Sequence, residues 1–172
     1  MSKEVLAVCD CKKNTTAQVF ATCVSANKGE RKTPVEQISL RENHGIDGDA
    51  HAGEWHRQVS LLARESIDKM RQLGLDVDAG DFAENITTVG IDLLSLPVGT
   101  RLAIGETLLE ITQIGKECLT RCSIYHQAGD CVMPKEGIFA RVVCGGTVKP
   151  SSLSDLPSGP GGSPARRQLL TI

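Results

Sequence analysis

Aromatic side chains are the scarcest class in this chain. One Trp, one Tyr and three Phe make up 3% of it, too few for the stacked platform on which single-stranded bases are held. Neither sign of charge is in excess: 19 Lys and Arg oppose 21 Asp and Glu, a formal net charge of −2, and no basic run exceeds two residues. Broad nucleic-acid binding is therefore not expected, although a small local anion site stays open. No apolar run approaches the roughly 18 residues that cross a bilayer, so no membrane partner is expected. The opening MSKEVLAVCDCKKN is too charged, and its apolar run too short, for a secretory signal, which points to the cytoplasm. The G-x-G-x-x-G fingerprint of nicotinamide and flavin sites is missing, so any reductase chemistry would need an electron-donor protein. The seven cysteines are an odd count, expected as thiols rather than as a disulfide framework.

What is present suits one compact domain: 172 residues, 40% of them apolar. Short apolar or alternating runs predict strands over residues 5–8, 17–24, 34–41, 58–63 and 137–148. Gly105-Glu106 between apolar, β-branched flanks predicts a hairpin. Ile67, Met70 and Leu73, three apart and followed by Gly74, predict one short helix over 66–74. Many strands, few helices and no βα repeat favour a mainly β fold, a barrel with peripheral helices rather than a doubly wound sheet. In residues 150–164, twelve of fifteen are Pro, Ser or Gly, which leaves too little apolar surface to offset ordering. The chain thus divides into a domain over 1–149 and a tail over 150–172, expected to be flexible.

Three stretches carry ionisable chemistry. GIDGDAHAG sets Asp47, Asp49 and His51 two apart, on one side if the backbone is extended, with His56 and Arg57 close behind. Such a set suits a metal or an oxyanion, or equally a capped surface loop. In DFAENITT, Glu84 precedes Asn85, whose amide both donates and accepts and so can hold a ligand or close a turn. GKECLTRCSIYHQAGDC holds Cys118, Cys122 and Cys131. Lys116 and Arg121 are near enough in sequence to favour a thiolate at Cys118. On a helix, Cys122 would sit one turn away, as a resolving thiol or a core residue. With His126 the three cysteines make a zinc-type set, though C-x3-C-x3-H-x4-C lacks paired close spacing. A reactive thiolate, buried thiols and structural zinc all stand at this point. Cys23 and Cys144, in apolar strands, read as core, and Cys9 and Cys11 as terminal strand residues.

Taken in order, GIDGDAHAG, RQVSLLARESI, GDFAENITTVGIDLLSLPVGTRLAIG, LEITQIGKEC and GIFARVVCGG resemble the stand-alone MOSC domain over residues 19–149. The same module is found at the C-terminus of molybdenum cofactor sulfurases. The resemblance implies a MOSC-type β-barrel and a bound molybdenum cofactor (molybdopterin). It places the family's cysteine on Cys118, as a persulfide carrier or as a molybdenum ligand. It implies Asp49, His51, Arg57, Glu84 and Asn85 as cofactor-binding residues, with Lys116 and Arg121 beside them. Three functions are implied: sulfur handling through Cys118, as a sulfur carrier or in cofactor sulfuration; reduction of N-hydroxylated compounds at the bound cofactor; or passive carriage of the cofactor as a scaffold. The implied partners are a cysteine desulfurase, a molybdoenzyme or an electron-donor protein. Pyridoxal phosphate, which serves the fused desulfurase domain of full sulfurases, is not expected in this chain. The chain departs from the family twice. Leu119 stands where bacterial relatives often carry histidine, and PSSLSDLPSG replaces a Gly-Asp turn and closing apolar strand.

Overall fold

The computed structural model describes residues 17–151 and 169–171. The strand expected at 5–8, the pair Cys9 and Cys11, and residues 152–168 of the tail lie outside the described residues. Among the described residues, eleven strands form two sheets. The larger has the order β11 (Leu169–Thr171), β7 (Arg101–Ile104), β8 (Thr107–Ile114), β9 (Ile138–Cys144), β5 (Val59–Ala63), β6 (Ile86–Val89), β1 (Gln18–Val24), β2 (Thr33–Val35). The smaller is β10 (Gly146–Val148), β3 (Ile38–Arg41), β4 (Gly45–Ile46). Three short helices, α1 (Arg64–Gln72), α2 (Ser123–Ala128) and α3 (Met133–Glu136), lie outside the sheets. No helix among the described residues is long and apolar enough to cross a membrane.

The mainly β expectation holds, but the sheet is open rather than closed into a barrel. Among the described residues no pairing joins its two ends, β11 and β2. One end is chemically an edge: Pro34, opposite Cys23 in the β1–β2 register, has no N–H to offer a further strand. The run 34–41, expected as one strand, divides. Thr33–Val35 pairs with β1, while Ile38–Arg41 pairs with β10 and β4 in the other sheet.

The hairpin forms as expected, with Ile104 opposite Thr107 across Gly105-Glu106. So does the helix, two residues earlier than the expected 66–74. Ile67 and Met70 are buried, whereas Leu73 caps the C-terminus and is 61% exposed. α1 belongs to the crossover that lets β6 run parallel to β5.

Strand alternation places the functional face. Val59 and Leu61 of β5, and Ile138, Ala140 and Val142 of β9, point into the main core with Ile86, Leu109 and Ile111. Leu62 and Phe139 point the other way, into a second core with Ile67, Met70, Ile124 and Met133. Ser60 lies opposite Phe139 in the β5–β9 register, so a polar side chain emerges on that second face. Cys144 departs from the expected core position. A bulge in the β8–β9 pairing, between Leu108 and Leu109, breaks the alternation beyond Val142, and Cys144 is exposed.

Candidate functional site

A cavity of about 340 Å³ opens on this second face, within the usual range for small-molecule sites. His51, Arg57, Asn85, Lys116 and Cys118, from three separate stretches, line it together with Trp55, Ser60 and Phe139.

The loop 44–57 is turned rather than extended, which separates the alternating Asp47, Asp49 and His51. Asp49 N donates to Ile46 O (3.1 Å) and Ala52 N to Asp49 O (3.1 Å). Asp47 is exposed and pairs with Arg41. Asp49 is buried behind the cavity wall, where it meets Lys32, a residue that no motif in the sequence singles out. Lys32 Nζ donates to Asp49 Oδ1 (2.6 Å) and to Ser25 Oγ (3.1 Å), and lies 3.3 Å from His51 Nδ1. Both charged side chains are fully buried. Burial opposes ionisation of Asp49, but hydrogen bonds from His51 and Lys32 outweigh it and hold the carboxyl well below the usual carboxylate range. His51 Nδ1 also lies 3.5 Å from Asp49 Oδ2, an oxygen that already accepts from His51 N (3.0 Å). Asp49 Oδ1, Ser25 Oγ and His51 Nδ1 all lie near the three hydrogens of the ammonium, and His51 Nδ1 sits between Lys32 Nζ and Asp49 Oδ2, its donor or acceptor role set by its tautomer.

Asn85 ties this network to the sheet. Its Nδ2 donates to Cys23 O and Asp49 Oδ1 (both 3.1 Å), and its Oδ1 accepts from Ser60 N (3.1 Å) and Ser60 Oγ (3.0 Å). All four hydrogen-bonding positions of the amide are used, so Asn85 shapes the wall rather than offering a free group. Glu84, its neighbour, points to the opposite side and does not line the cavity, contrary to the sequence expectation. Its Oε1 accepts from Gly80 N (2.6 Å) and Thr87 Oγ1 (2.9 Å), and its Oε2 has no partner. Burial raises the Glu84 carboxyl above the usual range despite those hydrogen bonds. Burial first, and the Glu84 charge second, push the adjacent Cys23 thiol up to about 12.

The Glu84 arrangement has a testable sign. A carboxyl whose folded pKa is raised lowers stability as pH climbs from its unfolded value, about 4.3, toward the folded one. Glu84→Gln keeps an acceptor for Gly80 and Thr87 and removes the buried charge. Its urea midpoint should therefore be no lower than wild type at neutral pH, with a flatter dependence above pH 4. A variant less stable than wild type at pH 7 would show that the carboxylate itself is needed.

The guanidinium of Arg57 lies between two rings, 4.9 Å from the Trp55 centroid and 5.6 Å from that of Phe139. Its Nε is buried without a hydrogen-bond partner. Among the described residues neither Arg57 nor Lys116 forms an ion pair, and the lining's one carboxylate is Glu117. The chain's lone Trp, set in a polar loop, was the available signal for this ring pair.

The cysteine loop is anchored at its root. Gly115, at φ +69°, leaves β8 so close to α3 that a Cβ would sit 2.3 Å from Pro134 O. Gly115 N donates to Gly137 O (2.7 Å) and Lys116 N to Pro134 O (3.1 Å). Beyond Lys116 the chain has no regular structure until α2, so Cys118 and Cys122 do not share a helix face. Both are exposed, and Cys122 is not a core residue. Arg121 does not reach the first cavity. It stacks over Tyr125 (4.4 Å) and lines a second one, of about 440 Å³. His126 is exposed on α2, and no group of three metal-ligating side chains comes together among the described residues, so the zinc-type set is not assembled.

A family model for the MOSC domain matches residues 47–151. This chain belongs to the MOSC domain family. That family is associated with molybdenum cofactor binding. Solved structures share its fold. YuaD from Bacillus subtilis aligns with a TM-score of 0.66 at 17% identity, over 77% of this chain and 91% of its own. YiiM from Escherichia coli aligns at 0.55 and 20%, over 81% and 72%, and YiiM from Geobacillus stearothermophilus at 0.57 and 19%, over 77% and 71%. No curated protein matches the chain in sequence.

Proposed function

We propose that this MOSC domain handles sulfur for the molybdenum cofactor, with Cys118 carrying one sulfane sulfur as a persulfide into the cavity. The observation that carries the reading is the meeting, in one cavity, of an exposed thiol and a guanidinium whose Nε has no partner. The residues fit such a group. The orphaned Nε calls for an acceptor, the ring pair holds the guanidinium flat, and a thiol is a soft ligand for a transition metal. Arg57 and Lys116 would hold the cofactor's oxyanions, and the His51 imidazole would orient them. When bound, the cofactor supplies the metal that takes the sulfur.

The residues of the chain divide the work. Cys118 accepts sulfur from a cysteine desulfurase at the open rim. Lys116 and Arg57 favour the anionic persulfide. Phe139 and Trp55 exclude water from one side of the cavity. Supplying the native protein with a desulfurase and sulfur-labelled cysteine should place label on Cys118 and then on added cofactor. A stable metal–sulfur bond from Cys118, with no label uptake, would replace this reading by the reductase one. No label and no bond would leave passive carriage.

Arg57 tests the anion side separately. Arg57→Ala should weaken binding of the cofactor, or of molybdate, about ten- to a hundredfold by equilibrium titration. Arg57→Lys should recover only part of this, because charge is kept but the two-point fork is lost. Unchanged affinity in Arg57→Ala would remove Arg57 from the site.

A further inference from the structure

Cys118 lies on the wall between two cavities. On one side is the cavity with Arg57, His51 and Lys116; on the other is the second cavity, with Cys122, Cys131 and Tyr125. Three free thiols thus border one space, although only Cys118 also faces the first cavity. Resting on the persulfide reading above, we infer that Cys122 discharges the Cys118 persulfide as hydrosulfide and locks the site as a Cys118–Cys122 disulfide.

The step balances without an outside oxidant. The Cys122 thiolate attacks the inner sulfur, Cys118 Sγ. The bond between Sγ and the outer sulfur breaks, and its electron pair leaves with the outer sulfur. That sulfur is reduced from the sulfane level to sulfide while the two cysteine sulfurs together lose two electrons. The proton given up by the Cys122 thiol ends, by way of solvent, on the leaving sulfur, so the outer sulfur of the anionic persulfide departs as hydrosulfide.

Geometry selects this outcome over passing the sulfur along to Cys122. Displacement at sulfur needs attacker and leaving group on opposite sides of the sulfur attacked. A persulfide poised for the cofactor points its outer sulfur into the first cavity, which Cys122 does not line. Cys122 lines the second cavity, which Cys118 also borders, so it reaches Sγ from the side away from the first. The linker can close: Leu119, Thr120 and Arg121 are exposed and without regular structure. Cys131 is the weaker attacker. It is buried, burial pushes its thiol up, and its backbone N–H is held by Asp130 Oδ1 (2.8 Å). The consequence is a carrier that disarms itself when no cofactor takes its sulfur, and that a dithiol reductant must reopen.

The test treats the full-length protein with inorganic polysulfide, removes the reagent, and follows released sulfide beside peptide mapping. Wild type should lose the added sulfur from Cys118 and gain a 118–122 disulfide, one sulfide released for each. Cys122→Ser should keep the sulfur on Cys118, with sulfide release slowed about tenfold or more; Cys131→Ala should discharge as wild type does. An added sulfur equally stable in wild type and Cys122→Ser overturns the discharge but leaves the persulfide reading intact, as does a disulfide mapped to Cys131. Absence of added sulfur from Cys118 in Cys122→Ser at every time point overturns both.

Discussion

Replacing Lys32 with methionine should cost the fold about 3–5 kcal/mol, the usual penalty for leaving one member of a buried ion pair alone. The ammonium touches Asp49, Ser25 and His51, and neither it nor the Asp49 carboxylate reaches solvent. Methionine fills the volume but cancels no charge. The pH dependence should change sign. In wild type the depressed Asp49 pKa contributes stability above the unfolded value of about 3.9, lost only as pH falls through the lower folded value. In the variant, Asp49 becomes a buried carboxylate with no cation, so acid should stabilise it relative to neutral pH. Adding Asp49→Asn to Lys32→Met should restore part of the loss. Nitrogen NMR provides an independent readout: the His51 Nδ1 chemical shift should change when the ammonium 3.3 Å away is removed. A urea midpoint unchanged by Lys32→Met would remove the pair from the stability account.

Cys118→Ser should reduce sulfur uptake and transfer to background, a loss of about a hundredfold or more, because a hydroxyl oxygen does not accept sulfane sulfur as a thiolate does. The fold should barely respond, since the side chain is exposed and unpacked, and such changes stay within about 0.5 kcal/mol. Paired measurements of labelled-sulfur transfer and urea unfolding separate the two effects. Full transfer by the serine variant would make Cys118 a bystander and favour passive cofactor carriage.

Much of this arrangement was legible in the sequence because it is local. Gly105-Glu106 between apolar flanks specifies a hairpin, and the glycines and charges of 44–57 specify a loop. The division of 34–41 also left a trace. Val35 and Ile38, three apart, would face opposite sides of one strand, which conflicts with a single buried face and is relieved by a break between them. The meeting of Arg57 with Cys118 was legible only through resemblance, because it depends on β5 and β9 pairing across some eighty residues. Lys32 left no trace. A lysine in NKGERKT looks solvated like its neighbours, and only the fold buries it. Glu84 misled because adjacent residues beside a strand face opposite ways, and the one that meets the site is Asn85.

Gly80 touches none of the groups in the cavity, yet it is where Lys32 is held. Lys32 N donates to Gly80 O (2.8 Å), and at φ +88° a Cβ on residue 80 would lie 2.1 Å from Lys32 O. Any side chain there must push the lysine's backbone aside, and Asp49 and His51 with it. In a saturation mutational scan, position 80 should therefore be as intolerant as a ligand contact. Its failures would look like lost chemistry, although the injury is to the masonry behind the wall.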